Sequence, residues 1–96
     1  MRHYEIMFIV RSDASEEDRK NVVSALEKTF TDNKATITLS KELGQRELAY
    51  EISKCKSGYY YLYNIESQDD KAVNEFKRVA RIEESVIREL VLNLDK

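Results

Sequence analysis

The sequence predicts an α+β domain in which one antiparallel sheet is covered on one face by two helices. Three observations support this prediction. Side chains alternate with a period of two in residues 2–11, two later segments repeat apolar residues every three or four positions, and residues 43–60 have the pattern of two strands joined by a turn. With 96 residues, the chain is expected to form a single domain, residues 1–96, with one two-layer core.

The overall composition points to a folded protein of a reducing, cytosolic setting. Its one cysteine, Cys55, cannot form an intramolecular disulfide, and no run of 18 apolar residues is present. The formal net charge of −2 counts against a nucleic-acid binder but does not exclude one, because binding depends on where the charge lies. Acidic residues cluster in residues 13–18, and basic residues cluster in residues 77–88.

The first strand and first helix follow from simple periodicities. One face of residues 2–11 is apolar and is expected to meet the core; it consists of Tyr4, Ile6, Phe8 and Val10. A helix is expected to begin near Glu16, with Asp13 or Ser15 as its N-cap, and to end near Asn33 as a left-handed cap.

The second strand is expected to run from Ala35 to about Ser53, with an irregularity inside it. Ile37 and Leu39 lie at odd positions, whereas the later apolar residues Leu48, Tyr50 and Ile52 lie at even positions. A regular strand cannot bury both sets on one side, so a bulge or break is predicted near Gly44. The turn is predicted at residues 54–58, with Gly58 as its turn glycine, and the third strand at residues 59–66.

The second helix and the last strand complete the order of secondary-structure elements along the chain. Ser67 or Asp69 is expected to cap a second helix, and Val86 to Leu94 forms the last strand. Strand, helix, strand, strand, helix, strand is the order of the ferredoxin-like split β-α-β fold, with a four-stranded antiparallel sheet and both helices on one face. Six side chains are predicted to share its core: Ile6, Phe8, Leu26, Phe30, Ile65 and Phe76.

The face of the sheet that no helix covers is expected to hold an apolar patch. Its predicted members are Met7, Ile9, Tyr60 and Leu62. An exposed apolar patch usually marks a binding surface, so these residues are predicted to contact a protein partner.

Nothing in the sequence predicts catalysis, a metal site or a cofactor. The single histidine, His3, has no neighbouring cysteine or second histidine for a metal site. Cys55 lies between Lys54 and Lys56 but lacks the base that an activated nucleophile needs, and no glycine-rich phosphate loop is present. We therefore expect a protein that is not an enzyme.

Arginines are the better candidates for contacts with a nucleic acid, because a guanidinium pairs with phosphate through two parallel hydrogen bonds. Arg2 begins the first strand and Arg88 lies near the start of the last, so the two are expected to converge if these strands are neighbours. Arg81 precedes the loop that leads into the last strand.

A tyrosine run in the third strand leaves an alternative open. RNA-recognition domains of this fold stack bases on aromatic side chains of the sheet. Here Tyr59, Tyr61 and Tyr63 share one face with Ile65, which favours the core for them, and Tyr60 lies on the other face. A single-stranded RNA-binding module that stacks bases on this strand remains an alternative.

Several segments in order resemble the bacterial small-subunit ribosomal protein six family. They are Met1-Arg2-x-Tyr4-Glu5, the block LGQRELAYEISKCKSGYY at residues 43–60, Asn74-Glu75-Phe76-x-Arg78-x-x-Arg81-Ile82, and Val86-Ile87-Arg88. The resemblance spans nearly the whole chain. Many members carry two adjacent arginines in the block at 43–60, whereas Glu47 follows Arg46 here.

The resemblance implies a structural constituent of the small subunit of the cytoplasmic ribosome, without a cofactor. It also implies binding to small-subunit (16S-type) ribosomal RNA together with small-subunit ribosomal protein eighteen. The expected RNA contacts are Arg2, Arg81 and Arg88, with Arg46, Lys54 and Arg78 as weaker candidates. A dimeric small-molecule regulatory domain of the same fold is a further alternative, and an acyl-phosphate hydrolase is disfavoured because residues 11–15 lack the glycine of a phosphate cradle.

Overall fold

The computed structural model describes residues 2–52 and 55–94 and shows six elements in the predicted order. They are β1 (Arg2–Arg11), α1 (Glu16–Asp32), β2 (Thr36–Ile52), β3 (Cys55–Ser67), α2 (Lys71–Ile82) and β4 (Val86–Asn93). The strands form one sheet in the order β2-β3-β1-β4, and every neighbouring pair is antiparallel. The ferredoxin-like fold is therefore confirmed. Neither α1 nor α2 is long and apolar enough to cross a bilayer.

Helix α1 begins and ends where it was predicted, with Asn33 as its C-cap, but its left-handed residue comes one position later. Ser15 is the N-cap, and its hydroxyl accepts a hydrogen bond of 3.1 Å from the backbone N–H of Asp18. The left-handed residue at the other end is Lys34 (φ 62°), whereas Asn33 has φ −100°, so the predicted left-handed Asn33 is wrong. The turn at Lys34 directs the backbone N–H of Ala35 back to the carbonyl oxygen of Phe30, at 2.9 Å.

Helix α2 starts beyond both of its predicted caps. Its N-cap is Asp70, whose side chain makes no capping hydrogen bond. The Asp69 carboxylate instead accepts a hydrogen bond of 3.0 Å from the backbone N–H of Lys71. The buried Ser67 hydroxyl accepts one of 3.4 Å from the backbone N–H of Asp69. The two predicted residues therefore order the turn before the helix and do not occupy its cap position.

The core lies between the helices and the inner face of the sheet. All six predicted core residues are at most 1 % exposed, which confirms that prediction. Phe8 is at its centre: its ring stacks on Tyr61 with centroids 5.1 Å apart, and it contacts Phe76 at 6.1 Å. Phe30 and Phe76 join α1 to α2 at 5.4 Å.

Strand β2 pairs irregularly with β3, as its change of phase predicted. The register shifts between Ile37 and Leu39, between Glu42 and Gly44, and between Glu47 and Ile52. Gly44 has φ +83°, a left-handed conformation that glycine adopts without strain. The predicted irregularity near Gly44 is confirmed.

Gly58 is not the turn glycine that the sequence predicted. Strand β3 already begins at Cys55, and Gly58 pairs with Arg11 on β1 and with Arg46 on β2. A Cβ atom at position 58 would collide with Cγ2 of Ile9 and lie 3.1 Å from the carbonyl oxygen of Val10. Glycine is needed there because a neighbouring side chain fills its space; residues 53 and 54 lie outside the described part of the chain.

Candidate functional site

The sheet face opposite the helices, here called the open face, carries the predicted patch in modified form. Met7, Tyr60 and Leu62 are half-buried there, but Ile9 is only 4 % exposed. The expectation of an exposed Ile9 is therefore wrong, for two reasons. Gly58, which has no side chain, leaves room for the side chain of Ile9. Leu48 and Tyr50 of β2 line the same cavity of about 220 Å³ as Ile9 and limit its exposure.

Three exposed leucines form a second apolar surface that the sequence analysis missed. Leu90, Leu92 and Leu94 are 43 %, 45 % and 50 % exposed. Leu90 pairs with Met7 and Leu92 pairs with Glu5, so both belong to the open face. The signal that could have found them is the alternation of leucines at positions 90, 92 and 94, combined with the edge position of β4.

Arg88 and Arg46 lie at opposite sides of the open face. The Nη1 of Arg88 donates a hydrogen bond of 2.6 Å to the phenol oxygen of Tyr50, which joins β4 to the end of β2. Arg46, on β2, donates from Nε to the carbonyl oxygen of Leu43 at 3.4 Å. Both contacts are with neutral oxygens, and within the described part of the chain neither guanidinium forms an ion pair with a carboxylate.

Arg81 and Arg78, on α2, contact carboxylates instead. The Nε of Arg81 lies 3.4 Å from Oε1 of Glu89, and Arg78 forms an ion pair with Glu75 one turn earlier. A hydrogen bond from Arg78 lowers the pKa of the Glu75 carboxyl and raises that of Arg78 itself. These ion pairs are exposed, so each arginine could leave its carboxylate for a phosphate at a small cost in free energy. The neighbouring carboxylate nevertheless offsets part of the positive charge of each arginine.

Arg2 does not converge with Arg88. Strands β1 and β4 are neighbours, as that expectation required, but they are antiparallel, and Arg88 pairs with Ile9. Arg2 lies seven residues away along β1, which is about 23 Å at the usual rise of a strand. At that end a hydrogen bond with Tyr4 raises the pKa of Arg2. The remaining RNA candidate, Lys54, lies outside the described residues.

The tyrosines of β3 divide between the two faces as their alternation predicted. Tyr61 and Tyr63 are buried, and the hydroxyl of Tyr63 donates a hydrogen bond of 2.9 Å to Oε2 of Glu27. The guanidinium of Arg19 lies 3.8 Å from the ring centroid of Tyr59 on the helix side. Tyr60 is the β3 tyrosine on the open face, so this strand offers no row of aromatic rings for stacked bases.

Comparisons with known proteins agree with this architecture. The family model for ribosomal protein S6 matches residues 3–93. The crystal structure of the 30S ribosomal protein S6 from Thermotoga maritima is 30 % identical, with a TM-score of 0.89 over 96 % of this chain and 86 % of that one. The C-terminal domain of the MgtC protein from Mycobacterium tuberculosis is 10 % identical, with a TM-score of 0.61 over 97 % of this chain and 87 % of that one, which shows a shared fold alone. The chain thus belongs to the ribosomal protein S6 family, as its sequence patterns suggested, and is a non-enzymatic structural protein of the small subunit of the cytoplasmic ribosome.

Proposed function

We propose that this chain binds small-subunit (16S-type) ribosomal RNA together with small-subunit ribosomal protein eighteen. The observation that carries the proposal is the match of the ribosomal protein S6 family over residues 3–93. The formal charge of −2 supports the need for a partner, because an acidic chain attracts RNA poorly at long range. A basic partner would supply the missing positive field.

The contacts of the arginines rank them as phosphate ligands. Arg88 and Arg46 come first, since their hydrogen bonds are to neutral oxygens and no described carboxylate pairs with either. Arg2 would contact phosphate separately from these two, because it lies at the other end of β1. Arg81 and Arg78 follow, because each would have to exchange a carboxylate for a phosphate. Lys54 remains a prediction from the sequence.

The protein partner is proposed to dock on the open face. Met7, Tyr60 and Leu62 supply half-buried apolar surface there, and Ile9 lies buried on the same face. An apolar surface on the one side of a two-layer domain that lacks a covering layer is a common place for a partner to bind.

The proposal is tested by partner-assisted RNA binding across a salt series. Replacing an arginine that contacts phosphate should flatten the plot of log affinity against log salt by about 0.7–0.9. Arg88→Ala is expected to show this change and to weaken binding to all RNA sequences alike, because phosphate carries no base information. Lys20→Ala is the matched control, since that side chain lies on α1, is 76 % exposed and is paired with Glu16.

An unchanged salt slope in both Arg88→Ala and Arg46→Ala would remove the open face from the RNA interface. Failure of the wild-type protein and ribosomal protein eighteen to bind the RNA at all would contradict the proposed function itself. The regulatory-domain alternative predicts a homodimer with a bound metabolite, and native mass spectrometry of the purified protein distinguishes it.

A further inference from the structure

Tyr50, near the end of β2, carries the most exposed aromatic ring in the described part of the chain. It is 61 % exposed, whereas the other phenylalanine and tyrosine side chains are buried or half-buried. A tyrosine ring offers a large, rigid surface for contact, because few torsion angles are fixed when it binds. Exposure alone does not make a site, so the contacts and the charges around this ring decide what it can bind.

The backbone and one hydrogen bond hold the Tyr50 ring away from the rest of the sheet. Between the pairs that Glu47 and Ile52 make with β3, residues 48–51 of β2 stand opposite a single residue of β3. A segment with more residues than its partner strand must bulge outward. The Nη1 of Arg88 then donates its hydrogen bond of 2.6 Å to the Tyr50 hydroxyl, which fixes the far end of the ring. The ring is thus exposed but held in a defined position.

A cavity of about 600 Å³ lies beside the ring and is richer in positive than in negative charge. Its lining includes Tyr50, two cations, Arg46 and Lys56, and one acid, Glu47. Its volume falls within the roughly 300–1,000 Å³ that is typical of sites for small molecules and cofactors. The cavity therefore suits an anionic group that lies next to a flat, aromatic one.

Cationic side chains lie on two sides of the Tyr50 ring. Arg88 contacts its hydroxyl, and Arg46 lines the cavity beside it. A guanidinium carries several N–H donors, so Arg88 keeps donors for a phosphate while it holds Tyr50. An aromatic platform between cations is the arrangement with which proteins bind single-stranded nucleic acid, because the base stacks on the ring and the backbone phosphates meet the cations. A base inside a duplex cannot bind in this way, since its neighbours already cover both of its faces.

We propose that Tyr50 stacks on one unpaired base of the bound RNA, and that Arg46 and Arg88 contact the backbone phosphates on either side of that base. This inference rests on the proposed function, and it adds that the RNA presents a single-stranded nucleotide to β2. The stack involves one base, because the other tyrosines of the sheet are buried or half-buried. It tolerates any base, since every base has an aromatic face.

Partner-assisted RNA binding by two variants of Tyr50 tests the stack. Tyr50→Leu keeps an apolar side chain but removes the ring, and it should weaken RNA binding by about 5- to 150-fold. The slope of log affinity against log salt should stay unchanged, because no charge is removed. Tyr50→Phe keeps the ring and should bind RNA with an affinity close to that of the wild type. Tyr59→Leu is the matched control, since that half-buried ring lies on the helix side of the sheet.

Abasic substitutions in the RNA, made one at a time at its unpaired nucleotides, identify the stacked base. At one position, the wild-type protein should lose about as much affinity as Tyr50→Leu loses on the intact RNA. Tyr50→Leu should lose nothing further on that abasic RNA, because the ring and the base contribute through the same contact. A ring with a purely structural role would give the same loss on every RNA and would show no such coupling.

The outcomes separate the stacking inference from the proposed function. If the wild-type chain and ribosomal protein eighteen bind the RNA, but Tyr50→Leu binds as well as the wild type or no abasic position is coupled to it, stacking is overturned and the proposed function stands. If the two wild-type proteins bind no RNA, both are overturned. If Tyr50→Leu weakens the heterodimer in the absence of RNA as much as it weakens RNA binding, the ring contacts the protein partner and the stacking inference is refuted.

Discussion

Replacing Phe76 with alanine tests how the two helices are held on the sheet. The side chain of Phe76 is fully buried between Phe8 and Phe30, with ring centroids 6.1 and 5.4 Å away. Burying about 150 Å² of aromatic side chain at roughly 25 cal/mol per Å² stabilises the fold by about 4 kcal/mol. Alanine keeps part of that burial, but the cavity and the two lost aromatic contacts offset this, so the expected loss is about 3–5 kcal/mol.

The assay is urea unfolding followed by circular dichroism, with the slope of the free energy against urea compared between variants. A loss of this size is a large fraction of the roughly 5–15 kcal/mol that stabilises a typical domain, so Phe76→Leu provides a milder variant that stays folded. Ile82→Ala on the same helix is the exposed control and should change stability by less than about 0.5 kcal/mol. A loss below about 1 kcal/mol in Phe76→Ala, at an unchanged slope, would show that α2 does not present this face to the core.

Three further perturbations probe contacts elsewhere in the fold. Gly58→Ala should cost about 1–3 kcal/mol by overpacking against Ile9, and adding Ile9→Ala should recover part of this loss; equal costs with and without the second change would refute the steric argument. Burial, reinforced by a hydrogen bond to a carboxylate, raises the pKa of Tyr63, so stability should fall as the pH rises above about 10, where the unfolded phenol ionises. A parallel pH titration of Tyr63→Phe should lack that part of the fall. Ser15→Ala removes the N-cap of α1 and should cost about 1 kcal/mol in thermal or urea unfolding, whereas Ser15→Asp should retain most of the stability.

Local periodicity was sufficient to predict the elements and the core. The alternation in residues 2–11 predicted which face of β1 is buried, and the clash of phases between Ile37 and Leu48 predicted the irregular β2. Both are properties of a single strand, and they depend only on the fact that neighbouring side chains point to opposite faces.

Features that depend on two distant segments were predicted less well. The residues around Gly58 are compatible with a turn as well as with a strand, so the local sequence did not distinguish the two. Only the position of Ile9 on β1 explains why glycine is needed there. The convergence of Arg2 with Arg88 failed because it needed the direction of the pairing between β1 and β4 as well as their adjacency. The partial cover of the open face by Tyr50 likewise depends on a contact with Arg88, 38 residues further along the chain.

The central place of β1 in the sheet affects how the chain folds while it is being synthesised. This strand is made before the other five elements, yet both of its hydrogen-bonding neighbours, β3 and β4, are made after α1 and β2. At translation rates of roughly 5–20 residues per second, the apolar face of β1 waits several seconds before β3 leaves the ribosome, and longer for β4. The hairpin of β2 and β3 can form during that interval, since its strands are consecutive, but the nascent domain cannot close its core until the last strand has emerged. Any pause between the synthesis of β1 and that of β4 would therefore prolong the time during which β1 lacks its two neighbours.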